Sequence, residues 1–180
     1  TLLADARERG VDDNLKSRIA LLLQAAEGAG ADVILNACSS VGEAIDDVST
    51  LIRVPVLKID LPMAQMAVQR ARRIAVLATV PSTLGPTCRL LQKQVTAGQI
   101  ETTPVLCDGA FDALVSGNTA EHDEAVERAA REAAKSHDAI VLAQASMARL
   151  HERLENQVVV PVFSSPRPAF ETLAQMLREN

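Results

Sequence analysis

The sequence predicts an α/β fold built from two similar halves, and three observations support this prediction. Short apolar runs of strand length alternate with longer amphipathic runs of helix length along the 180 residues. The strand runs are apolar at nearly every position, as in parallel sheets that are covered by helices on both faces. The chain also partly repeats itself at an offset of 106 residues. Together these patterns predict parallel sheets whose strands alternate with helices.

The first half of the chain predicts a long helix, two strands and a second helix. In the first helix, Leu15, Ile19, Leu22 and Ala26 recur at helical spacing, which predicts that they share one buried face. The predicted bounds are 13–29 for this helix, 32–36 and 55–59 for the strands, and 61–71 for the second helix.

The second half begins with the clearest buried strand in the sequence, "RIAVLAT" at residues 73–79. A helix is predicted to begin near Ser82. The remaining strands are predicted at 103–107, 138–143 and 159–163, and the remaining helical segments at 109–116, 119–136, 146–155 and 167–178. This alternation is typical of a parallel sheet connected by crossover helices.

The internal repeat aligns "ADVILNACSSVGEA" at residues 31–44 with "HDAIVLAQASMARL" at residues 137–150. It also aligns the two Val-Pro-Val triplets, one in each half. We therefore predict a first α/β domain made of residues 1–64 plus 162–180 and a second α/β domain made of residues 65–161.

The two halves differ at their beginnings. The second half opens with a strand, a helix and a strand before it reaches the portion that matches the start of the chain. The first half shows no counterpart of this opening. We therefore expect the first domain to be N-terminally truncated in this chain, with two strands fewer in its sheet.

Composition and charge argue against several classes of function. The net charge is −5, no long basic run occurs and aromatic residues make up 2% of the chain, which argues against a nucleic-acid surface. No apolar run approaches the ~20 residues of a membrane helix. Cys38, Cys88 and Cys107 form no C-x-x-C pair, which argues against zinc or a disulfide framework and fits a reducing cytoplasm. The scattered histidines, which we expect to be solvated, argue against a histidine metal site: His122, His137 and His151.

Three loops connect a predicted strand to a predicted helix through small polar residues. Ligands of parallel sheets bind beyond the carboxyl ends of the strands. Helix N-termini at this edge offer free N–H groups that bind carboxylates or phosphates. No lysine or arginine lies in these loops, so neutral donors would hold the anion. The hydroxyl groups available are those of Ser39, Ser40, Thr79, Ser82, Thr83 and Ser146.

Cys38 lies in the first of these loops, directly after a predicted strand. The field of the following helix is expected to lower the pKa of this thiol and to raise its thiolate fraction. The alternative is a buried structural cysteine, which is common in proteins. Cys88, six residues into its predicted helix, and Cys107, at the end of a strand, are assigned structural roles.

Three segments resemble the aspartate/glutamate/hydantoin racemase superfamily: "NACSSVGE" after a strand, "RIAVLATVPST" opening the second half, and "IVLAQASMARL" in the matching half. The resemblance covers nearly the whole chain. It implies two pseudo-symmetric, flavodoxin-like domains with the site in the cleft between them, and no cofactor. It also implies that one cysteine from each half faces the α-carbon of the substrate. One thiolate removes the α-proton and the opposing thiol returns a proton on the other face.

By this resemblance Cys38 is the first of the two cysteines and the catalytic thiol. The repeat places Gln144 at the position of the second cysteine. Its amide can form hydrogen bonds but cannot take or give a proton at neutral pH. Substrate binding is assigned to Asn36, Ser39 and Ser40 of the first half and to Thr79, Ser82, Thr83, Gln144 and Ser146 of the second.

Three hypotheses of function follow. The first is a cofactor-independent racemase or isomerase that acts at the carbon α to a carboxylate of a small, aspartate- or glutamate-like acid. The second is a single-cysteine decarboxylase or maleate-type isomerase of the same superfamily. The third is a non-catalytic protein that binds small carboxylates and lost turnover with the second cysteine. All three hypotheses predict a small carboxylic acid or amino acid as the ligand, and no nucleic-acid or membrane partner. They also predict a cytoplasmic location, and each is compatible with a homo-oligomer.

Overall fold

The computed structural model describes residues 1–179, with the backbone alone for residue 7. Strands and helices alternate along most of this range. The strands are β1 (Ile34–Asn36), β2 (Val56–Lys58), β3 (Arg73–Ala78), β4 (Glu101–Leu106), β5 (Ala139–Leu142) and β6 (Val162–Ser164). The helices are α1 (Leu2–Arg9), α2 (Asp13–Gly28), α3 (Gly42–Val48), α4 (Leu61–Arg70), α5 (Pro81–Lys93), α6 (Ala110–Val115), α7 (Thr119–Ala133), α8 (His151–Glu155) and α9 (Pro166–Glu179).

The strands form two sheets, and every pairing in them is parallel. β1 pairs with β2 in a two-stranded sheet, and the second sheet has four strands in the order β4-β3-β5-β6. The α/β fold class with two parallel sheets is therefore confirmed. Among the described residues the first sheet has two strands fewer than the second, as the sequence predicts.

The internal repeat reappears in the register of the strands. Ile34 pairs with Val56 in the first sheet, and Ile140 pairs with Val162 in the second, so both partners are shifted by the same 106 residues. The backbone bonds agree, because Ile34 N donates to the oxygen of Pro55 and Ile140 N to that of Pro161. The two Val-Pro-Val triplets thus enter equivalent strands.

Each sheet has its own apolar core. The central strand β3 alternates between two layers, with Ile74 and Val76 packing among α4 and α5 and Ala75 and Leu77 packing toward α7. In the first half, α2 buries Leu15, Ile19 and Leu23 against α3. The prediction that Leu22 belongs to this buried face is wrong, because that side chain is 57% exposed.

The predicted division of the chain into domains needs a correction at both crossings. Residues 162–164 were expected in the first domain, but this segment is β6 and pairs with β5 of the second sheet. The first crossing was expected near residue 64, yet Met63 and Ala64 of α4 already lie in the core of the second sheet. Both corrections have the same cause: the apolar side chains of these two segments pack into the cores on either side of the four-stranded sheet. The closing helix α9 contacts α4 and also β2 of the first sheet.

Within residues 1–179, no helix is both long enough and apolar enough to cross a membrane.

Candidate active site

Cys38 lies two residues beyond the end of β1, at the start of a single 3₁₀ turn formed by residues 39–41. Its side chain is half-buried, and the thiol has no hydrogen-bond partner among the described residues. The side-chain amide of Asn36 donates to the Cys38 carbonyl oxygen at 3.2 Å and so holds the turn. The turn presents an unengaged thiol at the carboxyl edge of the first sheet.

A cluster of hydroxyl groups joins this turn to the second half of the molecule. Ser40 Oγ lies 3.4 Å from Ser82 Oγ and 3.5 Å from Thr83 Oγ1. Ser40 and Thr83 are buried, and Ser82 is partly exposed. The predicted binding residues of the first and second loops are therefore brought together.

Backbone donors of α5 adjoin this hydroxyl cluster. No side chain caps the helix, Pro81 has no N–H, and Thr83 N already donates to Val80 O. The Ser82 N–H is a first-turn donor that makes no bond within the described residues. Because α5 is 13 residues long, its N-terminus also carries partial positive charge. These features suit a bound carboxylate.

The third loop meets the first through its backbone. Ser39 Oγ lies 3.4 Å from the carbonyl oxygen of Ala143, at the carboxyl end of β5. Gln144 follows at once, and its Oε1 accepts from Thr79 N at 2.6 Å, Thr79 Oγ1 at 3.1 Å and Val80 N at 3.3 Å. Ser146 is exposed and its hydroxyl makes no hydrogen bond with another described residue, so it is not drawn into the cluster.

Asp60 belongs to the same edge, and sequence reasoning missed it. It follows β2 by two residues, is 3% exposed, and its Oδ1 has no hydrogen-bond partner in the described structure. Burial raises the pKa of the Asp60 carboxyl, while a hydrogen bond with Ser39 and the charge of Lys58 partly oppose that rise. The available signal was its place just after the predicted strand at 55–59, since residues that follow a strand of a parallel sheet lie at the ligand edge.

Charged pairs surround this buried carboxyl. Lys58 is 8% exposed and its Nζ lies 2.5 Å from Asp46 Oδ1, so its charge is already matched. Glu43 forms a two-point ion pair with Arg89 that joins α3 to α5, and this contact lowers the pKa of Glu43. A cavity of about 10 Å³, room for about one water, adjoins these groups.

The other cysteines and the histidines lie outside the cluster. Burial raises the pKa of Cys88, and it raises the pKa of Cys107 to about 12, in keeping with the structural roles assigned to them. His122 was expected to be solvated, which is wrong: it is fully buried on α7, with Asp123 and Arg149 at its Nδ1. No group of three metal-ligating side chains occurs between residues 1 and 179.

The fold and the carboxyl edge of its sheets define a class of protein. It is an α/β protein with two parallel sheets, and where its halves meet it carries a cysteine and uncharged hydrogen-bond donors that suit an anion. The sequence profile of the Asp/Glu/hydantoin racemase family matches residues 3–173. The chain therefore belongs to the Asp/Glu/hydantoin racemase family, and the resemblance inferred from its motifs is confirmed. A comparison with curated protein sequences gives no significant match.

Solved structures of the same fold are similar to this chain at low sequence identity. Glutamate racemase isoform RacE1 from Bacillus anthracis has a TM-score of 0.69 at 17% identity, over 91% of this chain and 64% of that one. An aspartate racemase homologue from Pyrococcus horikoshii also gives 0.69, at 20% identity over 97% and 80%. A mutant of arylmalonate decarboxylase gives 0.63, at 18% identity over 91% and 75%. The chain thus spans 64–80% of these three structures.

Proposed function

We propose that the chain carries the site of a cofactor-independent enzyme that acts at the carbon α to a carboxylate of a small, aspartate- or glutamate-like acid, with Cys38 as the catalytic thiol. The observation that supports this most strongly is the unengaged, half-buried thiol of Cys38, two residues before Ser40, whose hydroxyl meets those of Ser82 and Thr83 from the other half. Membership of the racemase family agrees with it.

The substrate carboxylate would bind at the neutral donors. Ser40, Ser82 and Thr83 offer hydroxyl groups, and the Ser82 N–H at the start of α5 adds a backbone donor. We assign supporting roles in binding to Asn36, Ser39, Thr79, Gln144 and Ser146. Such donors stabilise charge that develops on the carboxylate when the α-proton leaves.

Proton transfer would then take place on one face of the substrate. The Cys38 thiolate takes the α-proton, the C–H electron pair moves into the carboxylate, and an enediolate forms. Return of the proton from Cys38 restores the same stereoisomer. Gln144 occupies the equivalent place in the other half and cannot supply a proton. Racemisation is therefore slow unless water or another group protonates the second face.

The same asymmetry supports a second candidate. In a decarboxylase, loss of CO₂ generates the carbanion and a single thiol is enough to protonate it. One structure similar to this chain is an arylmalonate decarboxylase. A maleate-type isomerase or a non-catalytic carboxylate-binding protein would also need only one cysteine or none. We also propose that the protein is cytoplasmic and that its ligand is a small carboxylic or amino acid. We propose the two α/β domains that the sequence predicts, with their boundaries moved from residues 64 and 162 to near residues 60 and 164.

Solvent exchange tests the proposal. The protein is incubated in D₂O with each enantiomer of aspartate and glutamate, and loss of the α-proton signal is followed by NMR. We expect exchange that falls by about 10²–10⁴-fold in Cys38→Ser, the usual contribution of an acid or base. Cys88→Ser is the matched control and should retain exchange.

The remaining outcomes separate the candidates. CO₂ release from substituted malonates that depends on Cys38 favours the decarboxylase. Ligand binding without exchange or product favours the binding protein. Exchange that survives Cys38→Ser, in a variant with an unchanged circular dichroism spectrum, contradicts the assignment of the thiol.

A further inference from the structure

The side-chain amide of Gln144 is held in one orientation. Its Oε1 faces three donors, namely Thr79 N, Thr79 Oγ1 and Val80 N. The two backbone N–H groups can only donate, so the atom opposite them must be the carbonyl oxygen and not the amide nitrogen. The amide cannot rotate by half a turn without placing its own N–H groups against these donors. The position of Nε2 is therefore fixed as well.

The two hydrogens on Nε2 have no acceptor among residues 1–179. Gln144 is half-buried and stands two residues beyond the end of β5. Cys38 stands two residues beyond the end of β1, and the strand pairings that precede the two residues are related by the 106-residue repeat. Ser39, the neighbour of Cys38, reaches the carbonyl of Ala143, the neighbour of Gln144. The residue that carries the fixed donor thus lies where the two halves meet.

We infer that Gln144 Nε2 is a catalytic hydrogen-bond donor to the substrate oxygen on which negative charge develops, in place of the proton-transferring thiol that the family pattern implies. This inference rests on the proposed function. A donor that needs no reorientation during the reaction stabilises the developing charge more than one that must first turn toward it.

The step balances without any further reactant. The α-C–H bond breaks, an S–H bond forms on Cys38, and the electron pair moves into the carboxylate to give the enediolate. Gln144 keeps both its protons and only donates a hydrogen bond. The reverse movement of the same proton completes exchange on a single face.

A pair of ligands separates binding of the ground state from binding of the charged state. Succinate presents an ordinary carboxylate, whereas the nitronate of 3-nitropropionate carries its negative charge on two oxygens conjugated to carbon, as an enediolate does. Affinities of both are measured by calorimetry for the wild-type chain. We expect the nitronate to bind at least about 10²-fold more tightly than succinate, because transition-state analogues bind more tightly than ground-state ligands.

Two variants remove the donor in different ways. Gln144→Glu keeps an oxygen for Thr79 and Val80 but turns the amide nitrogen into a second oxygen. Gln144→Met is neutral and removes both functions. We expect the preference for nitronate over succinate to fall by about 10²-fold in each, as for loss of one donor to an oxyanion. Exposed Gln69→Glu and Gln69→Met are the matched controls and should keep the wild-type preference.

The outcomes distinguish this inference from the proposed function. If wild type prefers the nitronate and both Gln144 variants keep that preference, the role of Gln144 is wrong and the proposed function stands. If wild type binds neither ligand, the carboxylate site itself is wrong and the inference falls with it. Because Gln144→Glu preserves an acceptor for the three donors, it carries the test even if Gln144→Met does not fold.

Discussion

The turn at Cys38 and the turn at Gln144 occupy equivalent places in the two halves and are built in opposite ways. Each residue stands two positions beyond a strand of a parallel pair, and the two pairs have the same register. In the first turn the supporting bond goes to the backbone, from Asn36 to the Cys38 carbonyl, and the thiol is left unengaged. In the second turn the side chain itself is engaged, since Gln144 Oε1 accepts three hydrogen bonds.

We interpret this difference as one between a reactive position and a rigid one. A half-buried thiol that makes no hydrogen bond within the described residues is open to a substrate or a reagent. An amide with three bonds on its oxygen cannot move without leaving donors unpaired, which costs free energy. The two equivalent turns therefore differ in kind: the first leaves its side chain unengaged, and the second fixes its side chain by three hydrogen bonds.

Cysteine alkylation tests the reactive side of the comparison and has the largest expected effect. Burial raises the pKa of Cys107 to about 12. At neutral pH its thiolate fraction is therefore roughly 10³-fold lower than that of a free cysteine, whose pKa is ~8.5. Cys88 also has a raised pKa, for the same reason. We expect iodoacetamide to label Cys38 first, then Cys88, with Cys107 last. Labelling rates from pH 6 to 9 are read by peptide mass spectrometry.

A saturating carboxylate adds a control to this experiment. Succinate should slow the labelling of Cys38 and leave that of Cys88 unchanged. Equal rates for Cys38 and Cys88 in the native protein would contradict the view that the first turn presents a reactive thiol.

Stability measurements test the rigid side. Gln144→Leu leaves two backbone N–H groups and one hydroxyl without their acceptor, so we expect a loss of about 2–3 kcal/mol in the free energy of unfolding. Asn36→Leu removes a single bond to the Cys38 carbonyl and should cost about 1 kcal/mol. Urea denaturation of both variants measures the difference. Equal losses would show that the second turn is no more rigid than the first.

Much of this comparison could be predicted from the sequence. Apolar runs predict each of the strands found in residues 1–179 to within a few residues, and the repeat aligns Cys38 with Gln144 without any knowledge of strand pairing. The hydroxyl cluster followed from the rule that ligands bind at the carboxyl edge of a parallel sheet. These features are local or follow from fold class, and that is why a pattern along the chain was enough.

Other features depend on contacts that no local pattern encodes. On α2, Leu22 and Leu23 are equally apolar, and only the position of α3 decides that Leu23 is the buried one. The amino-acid composition of strand 162–164 fits either sheet equally well. Only its pairing with β5 shows that it belongs to the second sheet. The shifted pKa of Asp60 depends on its burial and on a hydrogen bond with Ser39. Ser39 lies 21 positions earlier in the chain, so no local pattern indicates this contact.

The pH dependence of stability tests Asp60, the buried carboxyl that bonds with Ser39, and has the smallest expected effect. Burial raises the pKa of this carboxyl above its value in the unfolded chain, so the folded state holds the proton more tightly. Stability from this group is therefore full below the unfolded value of ~3.9 and is lost as the pH rises through the folded value. Asp60→Asn removes the titration, and exposed Asp32→Asn is the control for loss of one negative charge.

Asp60→Asn should become more stable relative to wild type as the pH rises. The free energy of unfolding of Asp60→Asn, relative to wild type, should rise between pH 4 and pH 7, because only wild type must ionise a buried group there. The rise should be small, since the bond from Ser39 and the charge of Lys58 already offset part of the cost. The substitution leaves the bond from the Asn36 amide to the Cys38 carbonyl in place, so the labelling rate of Cys38 should not fall. Parallel curves for the two proteins across this range would mean that Asp60 titrates in the folded protein as it does in the unfolded chain, which would contradict the raised pKa.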